Sequence, residues 1–312
     1  MKMPIITIVR DDGLGDRNPR FAIDGHPWTL LRGGLDGFDG LEHEVTTQTF
    51  AQYDGSSVVW QRTPEVDRTV SFGAVGSIQE LRGEVDSFFR SSSAYEVHVD
   101  AEGRRRFTRA VQLSLRQATD SNSGVQLVTW TFLSPDPLWL SDDERSFDLA
   151  KATRRLGFPF VSYKERVAPA MLETDAYAQS MEKHVGGFVA GVLAKEYRLV
   201  NAGAATAYPR FEIRASAAVT NPTFTIRDRS GRAVCTFGVA KALRKDDVLV
   251  VDFSARPTTI ALNGSNISNL ATPGSTLATG IEPGEYSLSW DADGGSASLS
   301  IVPTIRERYL SI

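Results

Sequence analysis

The chain has 312 residues, 41% apolar and 23% charged, which excludes wholesale disorder and, by length, predicts two domains. A formal net charge of -4 supplies no global field for nucleic acid or an anionic membrane. Cys235 is the single cysteine, so neither an intrachain disulfide nor a thiolate metal cluster can form; its apolar run, residues 233–237, predicts a buried thiol.

Strand signals dominate from the start. Residues 5–9 are β-branched, and 21–24 and 28–31 flank a turn-like break at Gly25-His26-Pro27. Gly33, Gly34, Gly37 and Gly40 then predict a mobile or tightly turned loop over 33–40. That loop is not a phosphate cradle, because no helix with a Lys-Ser/Thr ending follows. Residues 41–50 alternate as a strand. The one strong helix starts at Ser77, which with Glu80 fits a capping box. Ile78, Leu81, Val85, Phe88 and Phe89 recur at helical spacing as an apolar stripe. Strands at 95–99 and 105–115 form a hairpin around Asp100-Ala101-Glu102-Gly103, and 125–133 is the last strand of this half. Hairpins flanking one helix predict an α+β or barrel-like first domain.

Ser134-Pro135-Asp136-Pro137 interrupts ladder pairing and places a boundary near Ser141, giving domains 1–141 and 142–312. Residues 146–197 carry weak pattern, with a candidate helix at 172–184, and read as an extended or functional insertion. Strands return at 197–201, 210–215, 223–228, 233–238, 248–253, 259–262, 287–291, 296–302 and 306–311. Gly-containing turns separate them at short intervals, the pattern of an antiparallel β-sandwich. The apolar stretch within residues 1–9 is too short for a signal peptide or span, and no later segment reaches the ~20 apolar residues of a spanning helix. The expectation is synthesis in the cytoplasm and no membrane partner.

No chemistry converges in this pattern. His26, His43, His98 and His184 are scattered, without metal-ligand spacing, and no nucleophile elbow occurs. The carboxylates at 142–144, 246–247 and 291–293 read as linker and turn residues, the last lacking the acidic ligand a calcium loop needs. No catalytic, cofactor or metal site is predicted. Arg104, Arg105 and Arg106, with Arg109, form the most basic stretch; it lacks interleaved aromatics for stacking a nucleic acid strand and reads as a solvated or interface-facing hairpin.

A family likeness enters in the second half. Phe132, Pro135, Asp136, Pro137 and Trp139 occupy the places of the "F-x-x-P-D-P-aromatic" junction phrase of siphophage distal tail proteins. Residues 199–209, Asn221-Pro222, 246–252, 263–267, 281–285 and 308–312 resemble the family's later motifs in the same order; Asp246 stands in the usual Gly place. Residues 1–124 are similar only in their strand–helix–hairpin layout. The resemblance implies a mainly β chain: a tail-tube-like β-barrel or sandwich with one α-helix, then a galectin-like or carbohydrate-binding-module-like antiparallel β-sandwich. It implies a virion protein, a homohexameric ring at the distal tip of a long non-contractile tail. The ring would join the tail tube protein to a tail-tip hub or tail-associated lysin-like protein. Tape measure and receptor-binding proteins are further implied partners, with DNA only as cargo passing through the lumen.

For the ring or partner interface the sequence nominates the loop 33–40, the hairpin 101–106 and the helix region 77–91, because glycine loops and charged hairpins often order against a neighbour. The alternative reading is a carbohydrate-binding module attaching the particle to a cell wall, with Tyr286, Trp290 and Tyr208 as stacking aromatics. A peptidoglycan hydrolase is the third reading, and no residue cluster supports it.

Overall fold

A computed structural model of the chain describes residues 3–50, 54–120, 123–147, 197–255 and 257–312. The candidate helix at 172–184, His184 and nearly all of the 146–197 stretch lie outside the described residues. The chain divides into two compact units, one of Met1–Glu144, Ala202–Ala207 and Arg306–Ile312, the other of Arg145–Asn201 and Tyr208–Ile305. The division is not the consecutive one expected at Ser141. The chain's end returns to the first unit, because its terminal strand Arg308–Tyr309 pairs with Trp139 and Leu140. Such a long-range pairing leaves no local mark in the sequence.

The first unit runs β1 (Ile5–Asp11), β2 (Arg20–Ile23), β3 (Thr29–Asp36), β4 (Glu44–Thr49), β5 (Ser56–Arg62), β6 (Val66–Val75), α1 (Ile78–Phe88), β7 (Ala94–Ala101), β8 (Arg104–Asp120), β9 (Val125–Ser134) and β10 (Trp139–Ser141). Its main sheet has the order β2-β1-β7-β8-β9-β6-β3, with β10 on β8, and every pairing is antiparallel. Period-two alternation decides which face is covered. Ile6 and Ile8 of β1, Val97 and Val99 of β7, Val70 and Phe72 of β6, and Val128, Trp130 and Phe132 of β9 are all buried on one side.

Helix α1 lies on that buried face through Leu81, Val85 and Phe88, with Phe89 just beyond its end. The stripe is the one expected; the capping box is not formed, since the Ser77 side chain makes no capping hydrogen bond. Tertiary anchors hold the helix instead. Phe21 meets Phe88 and Phe89 at centroid distances of 5.3 and 5.4 Å, and Trp28 donates from Nε1 to Glu84 at 3.0 Å. At the helix end, the buried Arg10 guanidinium donates to the carbonyls of Ser87 and Phe88 at 3.0 and 2.8 Å. A cation there satisfies orphan carbonyls and complements the dipole.

The second unit runs β11 (Arg145–Ser146), β12 (Tyr197–Asn201), β13 (Arg210–Ala215), β14 (Val219–Thr220), β15 (Thr223–Asp228), β16 (Ala233–Gly238), β17 (Ala242–Leu243), β18 (Val248–Asp252), β19 (Thr259–Leu262), β20 (Ser265–Asn266), β21 (Gly284–Asp291) and β22 (Leu299–Ile305). One antiparallel sheet has the order β11-β22-β13-β18-β19-β20 and another β12-β21-β15-β16. Rings from both join in one core: Phe237 of β16 lies 5.5 Å from Phe211 of β13, 4.9 Å from Phe224 of β15 and 5.3 Å from Phe253. Asn263 and Gly264, both at positive φ, make the two-residue turn between β19 and β20, as an Asn-Gly pair should. Residues 296–298, expected as strand, form a short 3₁₀ turn that leads into β22. Cys235 is buried; its thiol donates to the Thr276 carbonyl at 3.3 Å, and burial raises its pKa. Among the described residues no helix is long and apolar enough to cross a membrane.

Candidate assembly surfaces and the junction motif

The junction phrase turns out to be a packing device. Phe132 stacks on Trp130 at 4.5 Å, and Trp139 packs on Phe38 at 5.3 Å, all four rings being buried. Against Trp139 lies the side chain of Arg68, 1% exposed. Its guanidinium lies 4.6 Å from the Trp139 ring centre and donates to the carbonyls of Gly37 at 3.0 Å and Pro137 at 2.7 Å. Burial pulls the Arg68 pKa down to about 10, against an opposing pull from Asp136.

Asp136 has two tasks: its carboxylate accepts the Leu138 amide at 3.2 Å and forms a charge-assisted pair with Arg308. Arg308, almost wholly buried, also donates to the Thr206 carbonyl at 3.1 Å, while its own carbonyl accepts the amides of Ala204 and Ala205 at 2.8 and 3.2 Å. Arg106 completes the seam by lying 3.9 Å over the Tyr309 ring and donating to the Ser311 carbonyl. Segments 134–141, 202–207 and 306–312 are thus tied together inside the first unit. Pro135 and Pro137 set the bend, since neither can donate to a ladder.

The nominated interface residues occupy different settings in the fold. Gly33 and Gly34 lie inside β3, and the register between β3 and β6 jumps from Leu30–Phe72 to Leu35–Val70. A Cβ on Gly34 would stand 2.4 Å from the Ser71 carbonyl oxygen, and one on Gly37 2.4 Å from that of Asp67. These two glycines are required by close backbone approach to β6, a reason internal to the fold. Gly40 sits past the strand at φ +85° in open space. The basic hairpin is also divided. Arg104 is exposed, Arg105 pairs with Asp100 at 3.2 Å, and Arg106 is turned onto Tyr309. The amide of Asp142 donates to the Arg105 carbonyl at 3.2 Å, so acidic residues neighbour the arginines. The outer face of α1 presents Glu80, Arg82, Glu84 and Asp86.

Two other surfaces have the character of contact surfaces. The β4–β5 hairpin exposes every residue of both strands, including Val45, Val58 (62% exposed), Val59 (60%) and Trp60 (46%). The charges of its strands are Glu44 and Arg62, which pair with each other at 2.7 Å. Strand β5 was missed in the sequence reading; the turn signal Asp54-Gly55 followed by Val58-Val59-Trp60 could have found it. The second surface is the outward face of the main sheet. Register places Val111–Leu133–Asp67, Ser114–Thr131–Thr69, Arg116–Thr129–Ser71, Ala118–Leu127–Gly73 and Asp120–Val125–Val75 in successive cross-strand rows of β8, β9 and β6. The β9 column is therefore Val125, Leu127, Thr129, Thr131, Leu133, with no charge.

In the second unit, Tyr286 and Trp290 share a strand face with the fully buried Leu288. Both are half-buried, and Trp290 Nε1 donates to the Ser296 carbonyl at 3.2 Å. Burial raises the Tyr286 pKa. They border the core instead of forming an exposed platform. Among the described residues no group of His, Cys, Asp and Glu is placed to hold a metal ion.

Comparison with known proteins places this architecture. Residues 202–309 match the model of the family described as siphovirus-type tail component, C-terminal domain. No curated protein sequence matches the chain. Among solved structures, the Dit protein (gp 19.1) of phage SPP1, described as a hub of the adsorption apparatus of phages infecting Gram-positive hosts, is similar at 14% identity. That alignment covers 98% of this chain and 99% of that one, with a TM-score of 0.61. A chain of the phage P2 baseplate in its activated, calcium-bound conformation is similar at 9% identity over 99% of this chain and 100% of that one, with a TM-score of 0.56. The resemblance to siphophage distal tail proteins therefore holds: residues 202–309 match the C-terminal domain model of the siphovirus-type tail component, and the chain as a whole is similar in its mainly β fold to the SPP1 Dit protein.

Proposed function

We propose that this chain is a structural, non-enzymatic virion protein at the distal end of a long non-contractile phage tail. Six copies form a ring that joins the tail tube to the tail-tip hub and receptor-binding parts, and DNA passes through its lumen. The observation that carries this reading is the family match over residues 202–309 combined with near-complete coverage of the SPP1 Dit fold. The ring stoichiometry, the lumen and the named partners rest on the family resemblance. The carbohydrate-binding alternative gains nothing from Tyr286 and Trp290, which border the core.

The reading is tested on the purified full chain by native mass spectrometry and negative-stain imaging. Closed particles of six copies are expected, and antibody against the chain should decorate the tail tip of intact virions. A particle of another closed stoichiometry, or label along the tube or on the head, would refute it.

A further inference from the structure

The Asn-Gly pair that turns β19 into β20 carries a reaction of its own. A backbone nitrogen that follows asparagine can attack the side-chain amide carbon, and glycine leaves that nitrogen unshielded. A Cβ built on Gly264 would meet nothing within 4 Å, and both residues of the pair are exposed. Among the described residues the Gly264 amide donates no hydrogen bond. The nucleophile is therefore free, and what the fold controls is the electrophile.

Asn263 is held at both ends of its side-chain amide. Oδ1 accepts the Val248 amide at 2.9 Å, and Nδ2 donates to the Asp247 carboxylate at 2.8 Å. Asp247 is anchored in turn, since its other oxygen accepts the Arg244 amide at 2.7 Å. Those two donors, Arg244 first and Asn263 second, hold the Asp247 carboxyl below the usual carboxylate range, so it is ionised at neutral pH. The Asn263 backbone amide also donates to the Val248 carbonyl at 2.9 Å. Asn263 thus extends the β18–β19 ladder past Leu249–Leu262 and ties it to the turn at 244–247.

Attack by the Gly264 nitrogen makes Cγ of Asn263 tetrahedral and puts negative charge on Oδ1. Two effects then oppose each other. The Val248 N–H stabilises that charge, as an oxyanion donor does. The Asp247 carboxylate repels it and grips the nitrogen that must leave. A full charge outweighs one neutral dipole. The tetrahedral carbon also draws both ends of the amide out of line with their partners, which weakens the bonds that held them.

We propose that Asn263 is a site of spontaneous deamidation that Asp247 holds in check. The bond from the Gly264 nitrogen to Cγ forms and the Cγ–Nδ2 bond breaks. The proton lost by the Gly264 nitrogen leaves with Nδ2 as ammonia, and a cyclic imide results. Water then adds to one of the two imide carbonyls and reopens the ring, leaving aspartate or isoaspartate at 263. Either product sets a carboxylate against Asp247 where a donor stood, so the tie between the two turns does not re-form. Isoaspartate also adds a main-chain atom to a two-residue turn, whose geometry has no place for it.

The test follows the full-length chain at mildly alkaline pH by peptide mass mapping, which resolves conversion at 263, with thermal melts to show that each variant is folded. Wild-type protein is incubated native and unfolded in urea, beside native Asp247→Ala and Asp247→Asn. The native wild type is expected to deamidate at least about tenfold more slowly than the unfolded chain, and Asp247→Ala to recover most of that difference. Asp247→Asn should fall between them, because it loses the charge and keeps one acceptor. Equal native and unfolded rates would mean that nothing restrains the site, and overturn the proposal. A native chain faster than the unfolded one would overturn it too, by showing a turn arranged for the reaction. An Asp247→Ala rate equal to that of the native wild type would move the protection to the turn backbone and away from Asp247. If Asp247→Ala does not fold, Asp247→Asn decides alone, and an unchanged rate in it sinks the idea.

Discussion

The junction at 134–141 and the β4–β5 hairpin both leave the main sheet of the first unit, and they could hardly be built more differently. The junction buries four aromatic rings and two guanidinium groups, and it satisfies the carbonyls of Gly37, Pro137 and Thr206 with arginine donors. The hairpin contributes no buried residue to the core of the single chain, its Val45 and Trp60 being 48% and 46% exposed. The junction phrase, one of the motifs of the family resemblance, ties three chain segments together, so its task lies in folding. The surface most suited to assembly has no such phrase.

The contrast is broken most severely at the junction core. Trp139→Ala empties a site enclosed by Phe38 and Arg68 and should cost about 4 kcal/mol in urea unfolding of the full chain. Arg68→Ala removes donors from two carbonyls and should cost about 3 kcal/mol, with Arg68→Lys restoring only part, since an ammonium cannot span both while stacking on the ring. A loss under about 1 kcal/mol for either alanine variant would mean that the junction is not the tie described.

The next effect is smaller and tests the return of the chain's end. Arg308→Ala should cost about 2–3 kcal/mol, because the Thr206 carbonyl and Asp136 both lose a donor. Asp136→Ala should cost less, about 1–2 kcal/mol, since Asp136 is partly solvated. A double-mutant cycle sharpens this: coupling near zero would detach the terminal strand from the motif. At the hairpin, by contrast, Trp60→Ala should change the stability of the dissociated chain by no more than about 0.5 kcal/mol. A large loss there would show that the hairpin is part of the monomer's fold after all.

Much of this was legible in advance, for a physical reason in each case. The stripe Leu81, Val85, Phe88 and the alternation of β7, β8 and β9 are local consequences of one covered face. The glycines at 33–40 are ambiguous in sequence because a glycine admits two explanations, conformational freedom and close approach. The packing against β6 shows that Gly34 serves the second, while Gly37, at φ +73° and against the Asp67 carbonyl, serves both. The three arginines read as one basic patch in sequence, yet a strand sends neighbours to opposite sides, and Arg106 turns onto a ring from residue 309. The exposed Val58 and Val59 were invisible as a surface, because apolar β-branched residues in sequence look like core.

The smallest expected effect concerns acid, and it compares the two units. Asp12 in the first unit and Glu285 in the second both have carboxyl pKa values lowered, Asp12 by its hydrogen bond from Arg10, Glu285 by those from Arg229 and Arg198. A folded-state pKa below the unfolded one means that the unfolded chain binds protons first. The stabilisation is then complete above the unfolded carboxylate range and is lost as pH falls through the folded value. Urea midpoints should thus decline on the acid side and hold steady near neutrality. Glu285→Gln should flatten that limb, since both arginine partners lose a charged acceptor in one exposed turn region. Asp12→Asn should flatten it less, because Arg10 stays protonated and keeps its bonds to the Ser87 and Phe88 carbonyls whatever happens to Asp12. If Asp12→Asn instead abolished the acid limb, the helix end would depend on the ion pair and not on the guanidinium that caps it.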